Sequence, residues 1–270
     1  MKFLTFVEID LRKIIPFLIG VFTIAILGFQ GIFYKLVSNM NELLVNGAAQ
    51  SGTSLEEYLK TIDAISLTQL IDENPYPILF MIFIGLACIL FGFYIWYKEW
   101  FGASKRIYTL LSIKGSRFRI FASKLTVFLF IFLSYYAVVF INLYLSTIQM
   151  SIILPEQVIA SHLIENFALH SQFISYVLPI GISAIGYKLL FIMMIFSILS
   201  VFVLLDRSKK IWGMITGLVY IIGSMVLFFY IITLDLYTTE KLLADWSFAG
   251  ILFLLSTAIS YYLLKKKVSI

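Results

Sequence analysis

Residues 98–124 read KEWFGASKRIYTLLSIKGSRFRIFASK and lie between two long apolar runs. They hold Lys98, Lys105, Arg106, Lys114, Arg117, Arg119 and Lys124, against a single acid, Glu99. A basic connection between membrane spans belongs on the cytoplasmic side. The stretch also carries a helix pattern. Ser104 is suited to cap an N-terminus, and Ile107, Leu110 and Leu111 fall at i, i+3 and i+4 on one face. Gly115 is placed as a C-terminal stop, and Ser116 can cap a second helix running through Arg117 and Lys124 into the next apolar run. A purely solvated loop has no use for three large apolar side chains on one face. The pattern predicts a short amphipathic helix in the cytoplasm that docks a partner.

Working outward, six apolar runs appear, at 14–34, 78–97, 125–146, 189–205, 211–233 and 247–264. Each is near the ~20 residues that a helix needs to cross the hydrocarbon. The fourth is the least regular, because Pro179, Gly181, Gly186 and Lys188 interrupt the apolar stretch leading into it. The whole chain of 270 residues is 61% hydrophobic and 13% charged. A soluble domain carries about 25% charged residues. The expected fold is therefore an all-α integral membrane protein, in one domain, with six transmembrane helices. The net charge of +5 does not point to nucleic acid, because the cations cluster beside apolar runs. The single cysteine, Cys88, excludes an intramolecular disulfide.

Lys and Arg set the orientation. With the N-terminus inside, sixteen of the twenty cations fall on cytoplasmic segments, and only Lys35, Lys60, Lys188 and Lys241 fall outside. Eleven of the fifteen acids fall outside. Both termini are expected in the cytoplasm. Trp96, Trp100 and Trp212 near inner ends and Trp246 near an outer end fit an aromatic belt. Residues 2–13 place Phe3, Leu4, Val7, Leu11 and Ile14 on one face, with Phe6, Ile9 and Asp10 fitting less well, and predict a short interfacial helix on the membrane lipid of the cytoplasmic leaflet. The run that follows is too long for the core of a cleavable signal. Two long outer segments, 38–77 and 151–188, contain the helix-like patterns LEEYLKTIDAISLTQLID and EQVIASHLIENFALH.

Much catalytic chemistry is missing. Gly181–Lys188, GISAIGYK, has the glycine spacing of a phosphate loop but not its G-K-[ST] ending. No H-E-x-x-H or C-x-x-C occurs. His162, Glu165 and His170 share roughly one helical face but are weak as a metal site, so no cofactor is expected. The six runs contain no Asp, Glu, Lys, Arg or His, where ion-coupled transporters usually carry such groups. Asn142 in the third run reads as a contact between helices. Gly213 and Gly217 in the fifth form a small-xxx-small pattern for close helix packing, with dimerisation as one use of it.

Taken together, the chain resembles the permease subunit of an ATP-binding cassette exporter of the type-2 class. The residues that carry the resemblance are Glu99 after the second span, Leu110-Leu111, the turn Ser116-Arg117 and Ser123-Lys124 entering the third. The long outer segments follow spans one and three, where that family places its outer helices between five and six. The resemblance implies an N-terminal interfacial helix, a coupling helix between spans two and three, and a bacterial cytoplasmic membrane. It implies separate ATPase subunits as partners and a second permease subunit, identical or not. Glu99, Lys105, Arg106, Ile107, Leu110, Leu111, Gly115 and Arg117 would form the surface that meets the ATPase. The substrate class it implies is an antimicrobial peptide, for export or immunity, and the chain itself would not be an enzyme. The alternative reading is a non-transporting membrane sensor or accessory subunit that binds a ligand through its outer loops. An intramembrane enzyme lacks the paired polar residues it would need.

Overall fold

The computed structural model describes residues 3–101, 118–171, 173, 177, 181–209 and 211–267. The expected docking turn, with Lys105, Arg106, Ile107, Leu110, Leu111, Gly115 and Arg117, lies outside the described residues. In chain order the helices are α1 (Phe3–Ser51), α2 (Leu55–Leu59), α3 (Leu67–Asp72), α4 (Pro75–Phe101), α5 (Phe118–Ile153), α6 (Leu163–His170), α7 (Ile182–Lys209), α8 (Ile211–Thr233) and α9 (Thr238–Tyr262), with a closing π-helical turn at Leu263–Lys267. Among the described residues there is no strand, only an isolated parallel bridge between Ile65 and Ile159. Six helices, α1, α4, α5, α7, α8 and α9, are long and apolar enough to cross a membrane. The chain is an all-α, multi-pass membrane protein.

Several boundaries differ from the sequence expectation. Residues 3–13 are not a separate interfacial helix but the first turns of α1, which runs 49 residues with Pro16 inside it. Proline removes one hydrogen bond and crowds the preceding turn, yet it did not break this helix. The opposite end also overruns. At ~1.5 Å per residue the 49 residues of α1 span ~74 Å, far more than the ~30 Å of hydrocarbon. Polar residues after Tyr34 end the apolar run but not the helix, which stops before Gly52 at φ +64°. In the fourth span the helix begins at Ile182, directly after Gly181 at φ +100°, so Gly186 and Lys188 lie inside it.

The chain forms two compact units. The first comprises Met1–Ile15, Cys88–Phe132 and Ile182–Ile270. Its centre is α7, whose apolar window is 50% buried against 11% for α8. Met194 and Ile198 of α7 pack on Ala249 and Leu252 of α9. Ser197 Oγ meets Thr257 Oγ1 at 3.4 Å, and the Tyr220 hydroxyl meets Ser256 Oγ at 2.7 Å. Gly213 and Gly217 face α7: the Leu205 carbonyl stands where a Cβ of residue 213 would be, and Phe202 crowds residue 217. Both glycines therefore serve a contact within the chain. Backbone cannot rotate away as a side chain can, so Gly213→Ala is expected to cost about 1–3 kcal/mol. Thermal unfolding in lipid discs checks it, with Gly223→Ala, which meets open space, expected to behave as wild type.

The second unit comprises Pro16–Ala87 and Leu133–Gly181. It joins the two outer segments, which sequence patterns treat as independent helices. Ile65 N donates to the Val158 carbonyl at 2.7 Å, and Ala160 N donates to the Ile65 carbonyl at 3.1 Å. Asp72 Oδ1 accepts from Ser171 Oγ at 2.9 Å and from Phe173 N at 3.2 Å. Leu59, Ile65, Leu67, Ile71, Val158 and Phe167 are buried. The helical pattern at 55–72 is split into α2 and α3, each capped by a serine, Ser54 and Ser66. Between helices of this unit, Gln30 Nε2 donates to the Asn142 carbonyl at 2.9 Å and to its Oδ1 at 3.0 Å. Asn142 is therefore a contact between α1 and α5. Asn142→Leu removes one of two acceptors of Gln30 and is expected to cost about 0.6–1.7 kcal/mol, read in the same unfolding assay.

Candidate functional site

The loop at 98–124 is bracketed by Glu99 near the end of α4 and Lys124 near the start of α5. These two side chains meet. Lys124 Nζ lies 2.7 Å from Glu99 Oε1, and the same nitrogen donates to Asp10 Oδ2 of α1 at 2.7 Å. The three side chains are 3%, 8% and 6% exposed for Lys124, Glu99 and Asp10. Two carboxyl groups thus converge on one ammonium in the interior of the first unit, from three different helices.

Each member is positioned by its own helix. Asp10 lies on the same side of α1 as Phe6, Val7 and Ile14, all buried. Lys124 follows Ser123, whose buried hydroxyl donates to the Ile120 carbonyl at 2.8 Å. Phe121, one turn before Lys124, packs at 5.5 Å on Phe196 of α7. Gly92 of α4 lets the Phe128 ring of α5 occupy the place of a Cβ. That close approach of the two helices lets the short Glu99 side chain reach Lys124. Trp96, one turn before Glu99, is 1% exposed. It is a buried residue of this unit. Trp246 likewise packs on Tyr187, with ring centroids 6.1 Å apart. Trp212 is exposed, as a belt residue would be.

Exposed charges nearby turn elsewhere. Arg12 donates to Glu8 at 2.8 Å on the surface of α1, and Lys98 lies over the Tyr94 ring at 5.5 Å. Chemically, the triad is a rivet rather than a reaction centre. It fixes the α1 start and both ends of the 98–124 loop at a single nitrogen, and a buried charge that loses its partner is costly. Of the residues expected to meet a partner, Glu99 is the one within the described residues, and it faces inward. Sequence reasoning did not pair it with Asp10 or Lys124. The one trace was that Asp10, together with Phe6 and Ile9, fits less well on the amphipathic face assigned to residues 2–13.

Other features of the molecule are less convergent. Among the described residues no group of three or more His, Cys, Asp and Glu is arranged for a metal. His162, at φ 56°, meets Glu165 at 3.2 Å on the surface, while His170 Nδ1 contacts the Asn166 carbonyl. A cavity of about 300 Å³ in the first unit is lined by Ile89, Phe191, Met194, Ile221 and Phe228 together with Ser224. The Ser224 hydroxyl is spent on the Tyr220 carbonyl at 2.8 Å, so the cavity offers hydrocarbon and aromatic surface. Comparison with protein-family models, curated proteins and solved structures finds no match.

Proposed function

We propose that the chain is the transmembrane permease subunit of an ATP-driven exporter of the ATP-binding cassette type-2 class, with the segment 98–124 as its coupling loop. The observation that supports this best is the buried Asp10–Lys124–Glu99 triad at the base of that loop. A loop that only marked topology would need no such fastening. In this reading ATP-driven closure of a separate ATPase pushes on the apolar face of Ile107, Leu110 and Leu111, with Lys105, Arg106 and Arg117 at its rim. The triad passes the displacement to α1, α4 and α5. The transporting unit holds two permease chains, identical or not, in a bacterial cytoplasmic membrane with both termini inside. An apolar cavity among α4, α7 and α8 suits an amphipathic substrate such as a peptide.

The ordered outer segments favour a second reading. Their shared core and the Ile65–Ile159 bridge make a folded surface suited to an accessory subunit that captures a ligand without moving it. Orientation is common ground and is tested first. In a Cys88→Ser background, Ser51→Cys should react with an impermeant thiol reagent in intact cells, while Ser104→Cys should react only after lysis. The reverse pattern places the loop outside and removes the coupling function altogether. ATP hydrolysis separates the two readings: it should be absent from the purified chain and appear in a complex with an ATPase.

A further inference from the structure

We propose that the Asp10–Lys124–Glu99 site binds one proton, held on the Glu99 carboxyl at neutral pH. This is independent of whether the loop docks an ATPase. A triad with both acids ionised carries a surplus negative charge in a place that water does not reach. Like charges sharing a buried site do not both ionise readily, and an uncompensated buried charge is among the costliest arrangements in a protein. One proton makes the site neutral: one carboxylate, one ammonium and one carboxylic acid.

The geometry assigns the proton to Glu99. The Lys124 ammonium donates a hydrogen bond to Asp10 Oδ2 at 2.7 Å. Glu99 Oε1 lies equally close to it, at 2.7 Å. Glu99 Oε2 is buried and has no hydrogen-bond partner. A carboxylate oxygen left bare in a buried site is what protonation relieves. Among the described residues, the charged and hydrogen-bonding side chains that face Glu99 are Lys124 and Asp10. Lys98, one residue away on α4, is turned onto Tyr94, and Glu8 and Arg12 of α1 pair with each other on the surface. The bound species is thus a proton on Glu99, in a site with one carboxylate and one ammonium. No metal cation is required to balance the site.

Infrared difference spectroscopy of the full chain in lipid discs tests this. Asp206 is another buried carboxyl, so single spectra are ambiguous, but its contribution cancels between variants. Wild type minus Glu99→Gln at neutral pH should show a protonated-carboxyl stretch that shifts in heavy water. Glu99→Gln should unfold at the wild-type temperature, because it replaces one neutral group by another. Asp10→Asn removes the surplus acid, so the same stretch should vanish there as Glu99 ionises beside Lys124. If Glu99→Gln does not fold, the Asp10→Asn difference alone decides. Absence of the stretch from the wild-type differences, or its persistence in Asp10→Asn, overturns the proposal.

Discussion

Lys124→Met is expected to destabilise the protein by about 3–5 kcal/mol, the range for removing one partner from a buried ion pair. The ammonium is 3% exposed and is shared by Asp10 and Glu99 at 2.7 Å each. Methionine keeps the length of the stem, so packing changes little and the loss is electrostatic. It leaves two acids facing each other without a cation. The protein should reach the membrane at reduced level and unfold early in lipid discs. The triple variant Asp10→Asn, Glu99→Gln, Lys124→Met removes every charge and should recover much of the loss, because uncharged isosteres at a buried pair are often tolerated. If Lys124→Met unfolds like wild type, the triad does not hold the helices together.

The second large effect lies on the loop. Leu111→Asp should detach or uncouple an ATPase, and Leu110→Asp should do the same. Burying a leucine side chain contributes roughly 1.5–3 kcal/mol, and every ~1.4 kcal/mol is a factor of ten in affinity. A charge in the same groove adds a desolvation cost. Lys105→Ala removes only a rim charge, worth about 0–1 kcal/mol, and should weaken association little. These positions lie outside the six apolar runs, so the level of protein in the membrane should remain near wild type. Membrane level therefore separates this prediction from that for Lys124. Loss of the protein points to a folding defect, and loss of the partner points to the docking face.

How far the sequence reached follows from what one-dimensional patterns carry. The apolar runs identify six spans because length and hydropathy suffice. For α8 the apolar run and the described helix share the bounds Ile211–Thr233, with Lys210 outside the described residues. For α1 they do not, because the sequence after Tyr34 turns polar while remaining a good helix former. The small-xxx-small pattern at Gly213 and Gly217 shows that a neighbour comes close but not which one, and here it is α7 of the same chain. The outer segments keep their amphipathic residues but lose helical continuity. The pairing of Ile65 with Val158 and Ala160 captures backbone that a helix would have used. The triad was out of reach because its members lie far apart in the chain, Asp10 and Lys124 by 114 residues. Lys124 reads as one more topology charge and Glu99 as the single acid of the loop; the family resemblance names both without pairing them.

The central claim is that a separate ATPase drives this chain through the loop at 98–124. Affinity purification of the tagged full-length protein from its native membrane after mild solubilisation tests it most directly. The account predicts a co-purifying phosphate-loop ATPase in near-stoichiometric amount, ATP hydrolysis by that complex, and loss of both in Leu111→Asp with the permease level unchanged. A purified chain that never carries an ATPase and moves substrate on a proton gradient alone would contradict it.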